Sequence, residues 1–107
     1  MNEINLAAKE FSSMLNCPCG MGNLHQHKYE VFNRTEDSTN VIKTVVKDST
    51  VAINHIPNQG SGNPSARRDG IKVHFWCEGG HDMVLNIYQH KGITFLDWEK
   101  DWNEHDA

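Results

Sequence analysis

A chain of 107 residues, 37% of them hydrophobic and carrying a net charge of −4 at pH 7, has the length of one domain and a modest core. It lacks the positive excess of a nucleic-acid-binding domain, and no run approaches the roughly 18 consecutive apolar residues of a membrane-spanning helix. Met1-Asn2-Glu3-Ile4 does not lead a basic region into an apolar stretch, so no secretory signal is expected. Three cysteines, an odd number, fit a disulfide framework poorly and favour a reducing cytoplasm. Residues 97–107 carry all of the net negative charge, and the acids and bases of the remaining chain cancel.

Ile4, Ala7, Ala8, Phe11, Met14 and Leu15 recur at three- and four-residue spacing. That periodicity predicts one N-terminal α-helix over 2–16, with Asn2 as its cap and Pro18 as its stop. Its apolar face packs on its own domain or, alternatively, makes a dimer contact. The pattern then changes to period two. Strands are expected over 27–33, 41–47 and 50–56, the last two rich in β-branched residues and joined at Asp48-Ser49. Residues 57–70 are dense in Gly, Asn, Pro and Ser, which predicts a long loop.

The last third alternates most clearly. Ile71, Val73, Phe75 and Cys77 are interleaved with Lys72, His74 and Trp76; Met83, Leu85 and Ile87 with Val84, Asn86 and Tyr88; Ile93, Phe95 and Asp97 with Thr94, Leu96 and Trp98. A three-residue connection, His90-Lys91-Gly92, joins the last two segments of an antiparallel meander. From Glu99 the chain is expected to be a solvated acidic tail.

Cys17-Pro18-Cys19-Gly20 and Cys77-Glu78-Gly79-Gly80-His81 form two clusters of metal-ligand types. Thiolate and imidazole are the donors zinc prefers, and four in a tetrahedron complete a structural site. Cys17, Cys19, Cys77 and His81 are the expected ligands of one structural zinc per chain, with His25 and His27 as competitors for the nitrogen position. Each cluster is expected to form a tight knuckle whose backbone N–H groups point at the sulfurs. The two are separated by 57 residues, yet each doubling of a closed loop costs only about 0.6 kcal/mol.

Outside the metal ligands, Arg67 and Arg68 lie in a Gly-rich loop and are candidate ligand-binding residues, suited to phosphate or carboxylate. The same loop also reads as an ordinary connection with Asp69 pairing an arginine. Trp76, Trp98 and Trp102 with Tyr88 suggest a stacking surface, and Lys72 and His74 share the Trp76 side of their strand. No Ser-His-Asp constellation on an elbow motif and no Gly-rich dinucleotide fingerprint is present, so the chain is not expected to be an enzyme. A Cys17/Cys19 dithiol and a metal site opened by His81 are the enzymatic alternatives.

The stretches Cys17-Pro18-Cys19-Gly20, Gly62 to Gly70, Phe75-Trp76-Cys77-Glu78 and Tyr88-Gln89-His90-Lys91-Gly92 running to Trp98 resemble short zinc-ribbon-like proteins encoded in bacteriophage and prophage regions. The resemblance covers most of the chain from Cys17 to Trp98. It implies a small β-rich metal domain of phage or bacterial origin, and it supplies no reaction. Both knuckles of such proteins usually hold two cysteines. Here Gly80 stands where the last is expected and His81 follows it, which supports His81 as the substitute.

The resulting expectation is a mainly β fold with one N-terminal α-helix: a helix at 1–16, a zinc-ribbon-like meander with an inserted β-hairpin at 17–98, and an acidic tail at 99–107. Its expected role is a cytoplasmic binding module that docks a protein partner, the choice that overall acidity favours. Single-stranded nucleic acid bound through Trp76, Lys72, Arg67 and Arg68 is the alternative.

Overall fold

The computed structural model describes residues 14–100, apart from the side chain of Lys100. Six strands form one antiparallel sheet: β1 (Leu24–Asn33), β2 (Asn40–Lys47), β3 (Thr50–Pro57), β4 (Gly70–Cys77), β5 (His81–His90) and β6 (Ile93–Lys100). Their order is β3-β2-β1-β4-β5-β6. The first strand is therefore central, with a hairpin on one side and a three-strand meander on the other. No helix among the described residues is long and apolar enough to cross a membrane.

Local chemistry accounts for the turns. Asp48 and Ser49 both adopt positive φ (52° and 64°), as do Lys91 and Gly92 (53° and 78°). Two successive positive φ values match the right-handed twist of the strands they join. The β5–β6 connection is thus two residues long, since His90 pairs with Ile93, and not the expected three.

The described residues are all β, which corrects the expected N-terminal α-helix: the sheet is the whole secondary structure, with no helix. Most of that segment, residues 2–13, lies outside the described residues, and Met14 to Asn16 are irregular. Leu15 instead packs on the core, and a turn starts at once at Cys17. The expected hairpin between the two knuckles is present as β2–β3, and β2 pairs along β1 so that the hairpin widens the same sheet. Glu99 and Lys100 belong to β6, opposite Val84 and Met83, not to a frayed tail; residues 101–107 lie outside the described residues.

Alternation along the paired strands assigns each side chain to one of two faces. On the first, Phe75, Cys77, Met83 and Trp98 are buried together with Cys17, and Leu15, Met21, Leu24, Val73 and Leu85 pack around them. Phe75 meets Trp98 edge-on at 5.8 Å. Val31, Val51, Ile53, Ile71 and Leu96 share this face and are exposed among the described residues. On the second face the 58–69 loop covers Phe32 and Val41, both nearly inaccessible. A Cβ on Gly62 would stand 3.8 Å from the Phe32 ring, and the Lys43 ammonium donates to Ser61 O at 2.8 Å while lying 5.4 Å over that ring.

The rest of the second face mixes polar groups with apolar side chains such as Trp76, Val84 and Phe95. The buried Glu30 carboxylate accepts a hydrogen bond from His74 Nε2 at 2.5 Å and pairs with Lys43 at 3.3 Å. The His74 hydrogen bond, helped by Lys43, outweighs burial and lowers its pKa to about 2. Lys72 pairs with Glu99 at 2.9 Å, and Asn86 donates to Asp97 at 3.0 Å.

Candidate metal centre

Two turns of the same backbone form build the site. In the first, Gly20 N–H donates to Cys17 O at 2.8 Å and Cys17 N–H to Met21 O at 2.9 Å, with Gly20 at φ 97°. In the second, Gly80 N–H donates to Cys77 O at 2.9 Å, Cys77 pairs with His81, and Gly80 has φ 98°. Each is a three-residue loop ended by a residue with positive φ, where glycine carries no Cβ penalty. This explains the departure from a second Cys pair. A cysteine at position 80 would carry a side chain at that φ, so the ligand falls one residue later.

A β-bulge aligns the two turns. Leu24 pairs with Cys77 and Gln26 with Phe75, but the register shifts between Gln26 and Lys28, leaving His27 as the extra residue. Because side chains alternate, one inserted residue moves everything before it to the opposite face. Leu24 thereby lands beside Cys77 on the core side. Asn23 O also accepts from Glu78 N–H at 3.2 Å, tying one turn to the other.

The result is a four-residue cluster of Cys17, Cys19, Cys77 and His81 whose ligand atoms all lie within 4.8 Å of one another. This is close enough to hold one metal ion. Cys17 Sγ is 3.0 Å from His81 Nε2, and Cys19 Sγ is 3.6 Å from Cys77 Sγ. Four bonds of about 2.0–2.3 Å in a tetrahedron place neighbouring sulfurs roughly 3.8 Å apart and a sulfur and nitrogen roughly 3.6 Å apart. The sulfur pair matches, and the Cys17–His81 edge is shorter by about half an ångström, so the donor set fits a zinc-sized ion.

The surroundings treat the thiols differently. Cys17 and Cys77 are buried and Cys19 is exposed; none is in a disulfide. Burial pushes the Cys17 thiol up to about 12, whereas the Met21 N–H aimed at its sulfur lowers Cys19. Gly79 N–H donates to Cys77 Sγ at 3.3 Å. A bound cation offsets the burial penalty, because a coordinating thiol is deprotonated outright. Gly79 is also a close-approach position: an added Cβ would meet Cys77 Sγ at 3.3 Å and Cys19 Sγ at 3.5 Å.

The competing histidines lie elsewhere. His25 Nε2 contacts Glu78 at 2.6 Å and its ring lies 4.8 Å from Trp76. His27, at the bulge, meets the His74 ring edge-on at 6.3 Å.

The second candidate group is not brought together. Arg67 binds Asp37 through two nitrogens, at 3.2 and 2.9 Å, and reaches Glu36 at 3.1 Å. Arg68 reaches Glu36 at 2.6 Å. The arginines thus tie the long loop to the β1–β2 connection. Asp69 accepts from the Arg34 backbone N–H at 2.7 Å, not from an arginine side chain. Lys72 is held by Glu99. Trp76 is 46% exposed, but it lies near the other end of β4 from the arginines, about 20 Å along the strand. Trp98 is buried on the opposite face, and Tyr88 stacks on Phe95 at 5.6 Å; Trp102 lies outside the described residues.

Reading the sequence missed the bulge, the Gly79 approach and the Glu30–His74 pair. The last two depend on which strands pair across the sheet, and alternation within one strand carries no sign of that. Comparison of the chain with protein-family models, with curated proteins and with solved structures finds no match.

Proposed function

We propose that this protein is a small binding module of the phage or prophage type, held together by one structural zinc ion on Cys17, Cys19, Cys77 and His81. The observation that carries this reading is the convergence of three sulfurs and one imidazole, from two turns far apart in sequence, within 4.8 Å. Zinc is favoured by the donor set, since soft thiolates with imidazole in a tetrahedron are its preferred environment. Four protein ligands leave no position for a reactive water, so the ion acts as scaffold and not as catalyst. Three thiols without a disulfide suit a reducing cytoplasm.

A protein is the partner class that the acidic net charge favours. Exposed Trp76 supports the second reading, a nucleic-acid strand. A steep loss of affinity with added salt distinguishes the strand from the protein partner.

Elemental analysis of protein purified without added metal tests the central reading. One zinc per chain, with unfolding by a chelator, is the expected result. A fully folded metal-free protein overturns it. A metal–oxygen bond in the X-ray absorption spectrum replaces it with a metal-dependent enzyme.

A further inference from the structure

The second face of the sheet holds a small pocket of about 140 Å³ beside the bulge, lined among others by His27, Lys28, Lys47, His74, Asp82 and Val84. Its charge arrangement is unusual. Lys28 pairs directly with Lys47 across β1 and β2, and with His74 across β1 and β4. Like charges directly opposite one another on adjacent strands destabilise a sheet. Neither ammonium has a carboxylate within ion-pair distance among the described residues. Glu30, an acid on the same face, is taken by His74 and Lys43, and Lys28 acts on it only through space. Asp82 lines the pocket but is itself engaged. The bulge adds the ring of His27 at the mouth.

Local rules broken inside the fold are expected at functional sites. We infer that this pocket binds a phosphate group, gripped by the Lys28 and Lys47 ammonium groups. A phosphate dianion between them converts their repulsion into two charge-assisted hydrogen bonds, and the pocket volume suits a group of that size. The source of the phosphate is a free phosphate or the phosphodiester of a single strand. Trp76 stands two residues beyond His74, on the same face and opposite Asp82. It is placed to stack a base next to a bound phosphate, which separates the two sources.

The test is a titration of the full-length metal-loaded protein with inorganic phosphate, followed by amide chemical shifts, with chloride at matched ionic strength as the control. Saturable shifts confined to His27, Lys28, Lys47 and His74 are expected. Lys28→Gln and Lys47→Gln each weaken binding by about tenfold or more, with thermal stability unchanged or raised because a repulsion has gone. Lys91→Gln, at the other end of β5, leaves binding as it was. Oligothymidylate that binds more tightly than inorganic phosphate and quenches Trp76 identifies a strand as the source; equal affinities identify a free phosphate. Shifts that chloride reproduces, or binding that survives loss of both lysines, overturn the proposal.

Discussion

Cys17 Sγ and His81 Nε2 lie 3.0 Å apart although 64 positions separate them in the chain. Their meeting follows from the pairing of β1 with β4, which sets Leu24 opposite Cys77 and carries the preceding turn onto the end of the meander. The contact therefore depends on sheet order as much as on the ligands. With zinc as the ion, His81→Ala lowers affinity by more than about 100-fold, beyond the usual loss from a supporting partner. His25→Ala and His27→Ala retain one zinc per chain, because neither ring faces the cluster. Competition with a chromogenic chelator measures all three variants, and equal losses would contradict the ligand set.

The two adjacent glycines of the second turn fail in different ways. In Gly79→Ala the new Cβ stands 3.3 Å from Cys77 Sγ, with Cys19 Sγ in ordinary contact at 3.5 Å, so the Cys77 sulfur must give by a few tenths of an ångström. Ligand distances tolerate changes of only about 0.2 Å, and metal affinity falls by roughly tenfold or more. In Gly80→Ala no atom lies within 4 Å, but φ is 98°, and the backbone strain costs about 1–2 kcal/mol. Chelator competition and urea unfolding, run side by side, separate the two effects.

Acid stability reports on Glu30. Its folded pKa is about 2 against an ordinary 4.5, so the carboxylate stabilises the fold fully above about pH 4.5. That contribution is lost as pH falls toward 2. Its size is about 3 kcal/mol from the shift in pKa, and the side chain is only 10% exposed. Glu30→Gln is therefore less stable than the parent at pH 6, and the two curves converge near pH 2. Metal loss in acid affects both proteins equally and cancels in the difference. A gap that stays constant with pH would show that the charge is not the source.

The second core centres on Phe32, which is fully buried. Phe32→Ala removes the ring under Lys43 and the 58–69 loop and is expected to cost about 3–5 kcal/mol in chemical denaturation. The metal ligands are on the opposite face, so the variant still takes up metal while folded. A loss below about 1 kcal/mol would mean that the loop does not seal this core.

Residue type and spacing alone determined a great deal. The alternation of Ile71, Val73, Phe75 and Cys77 with Lys72, His74 and Trp76 marks β4 and sorts its faces, because side-chain direction has period two whatever the neighbours are. Soft donors beside glycine-bearing turns nominate Cys17, Cys19, Cys77 and His81, because the chemistry of coordination is a property of the side chains themselves. The three-residue turn that delivers His81 is also local, set by the backbone freedom of Gly80.

What only the tertiary structure decided are the relations between strands. Of the periodic run ending at Leu15 only the last two residues lie among those described, and there Leu15 is irregular and packs on the core that the sheet builds. Arg67 and Arg68 carry the same charge in any context, yet the fold sets Glu36 and Asp37 against them. Lys28 and Lys47 attract no notice along the chain and become opposed partners in the sheet. Cross-strand pairing and the phase shift at His27 are set by burial of the whole sheet, so no single segment encodes them.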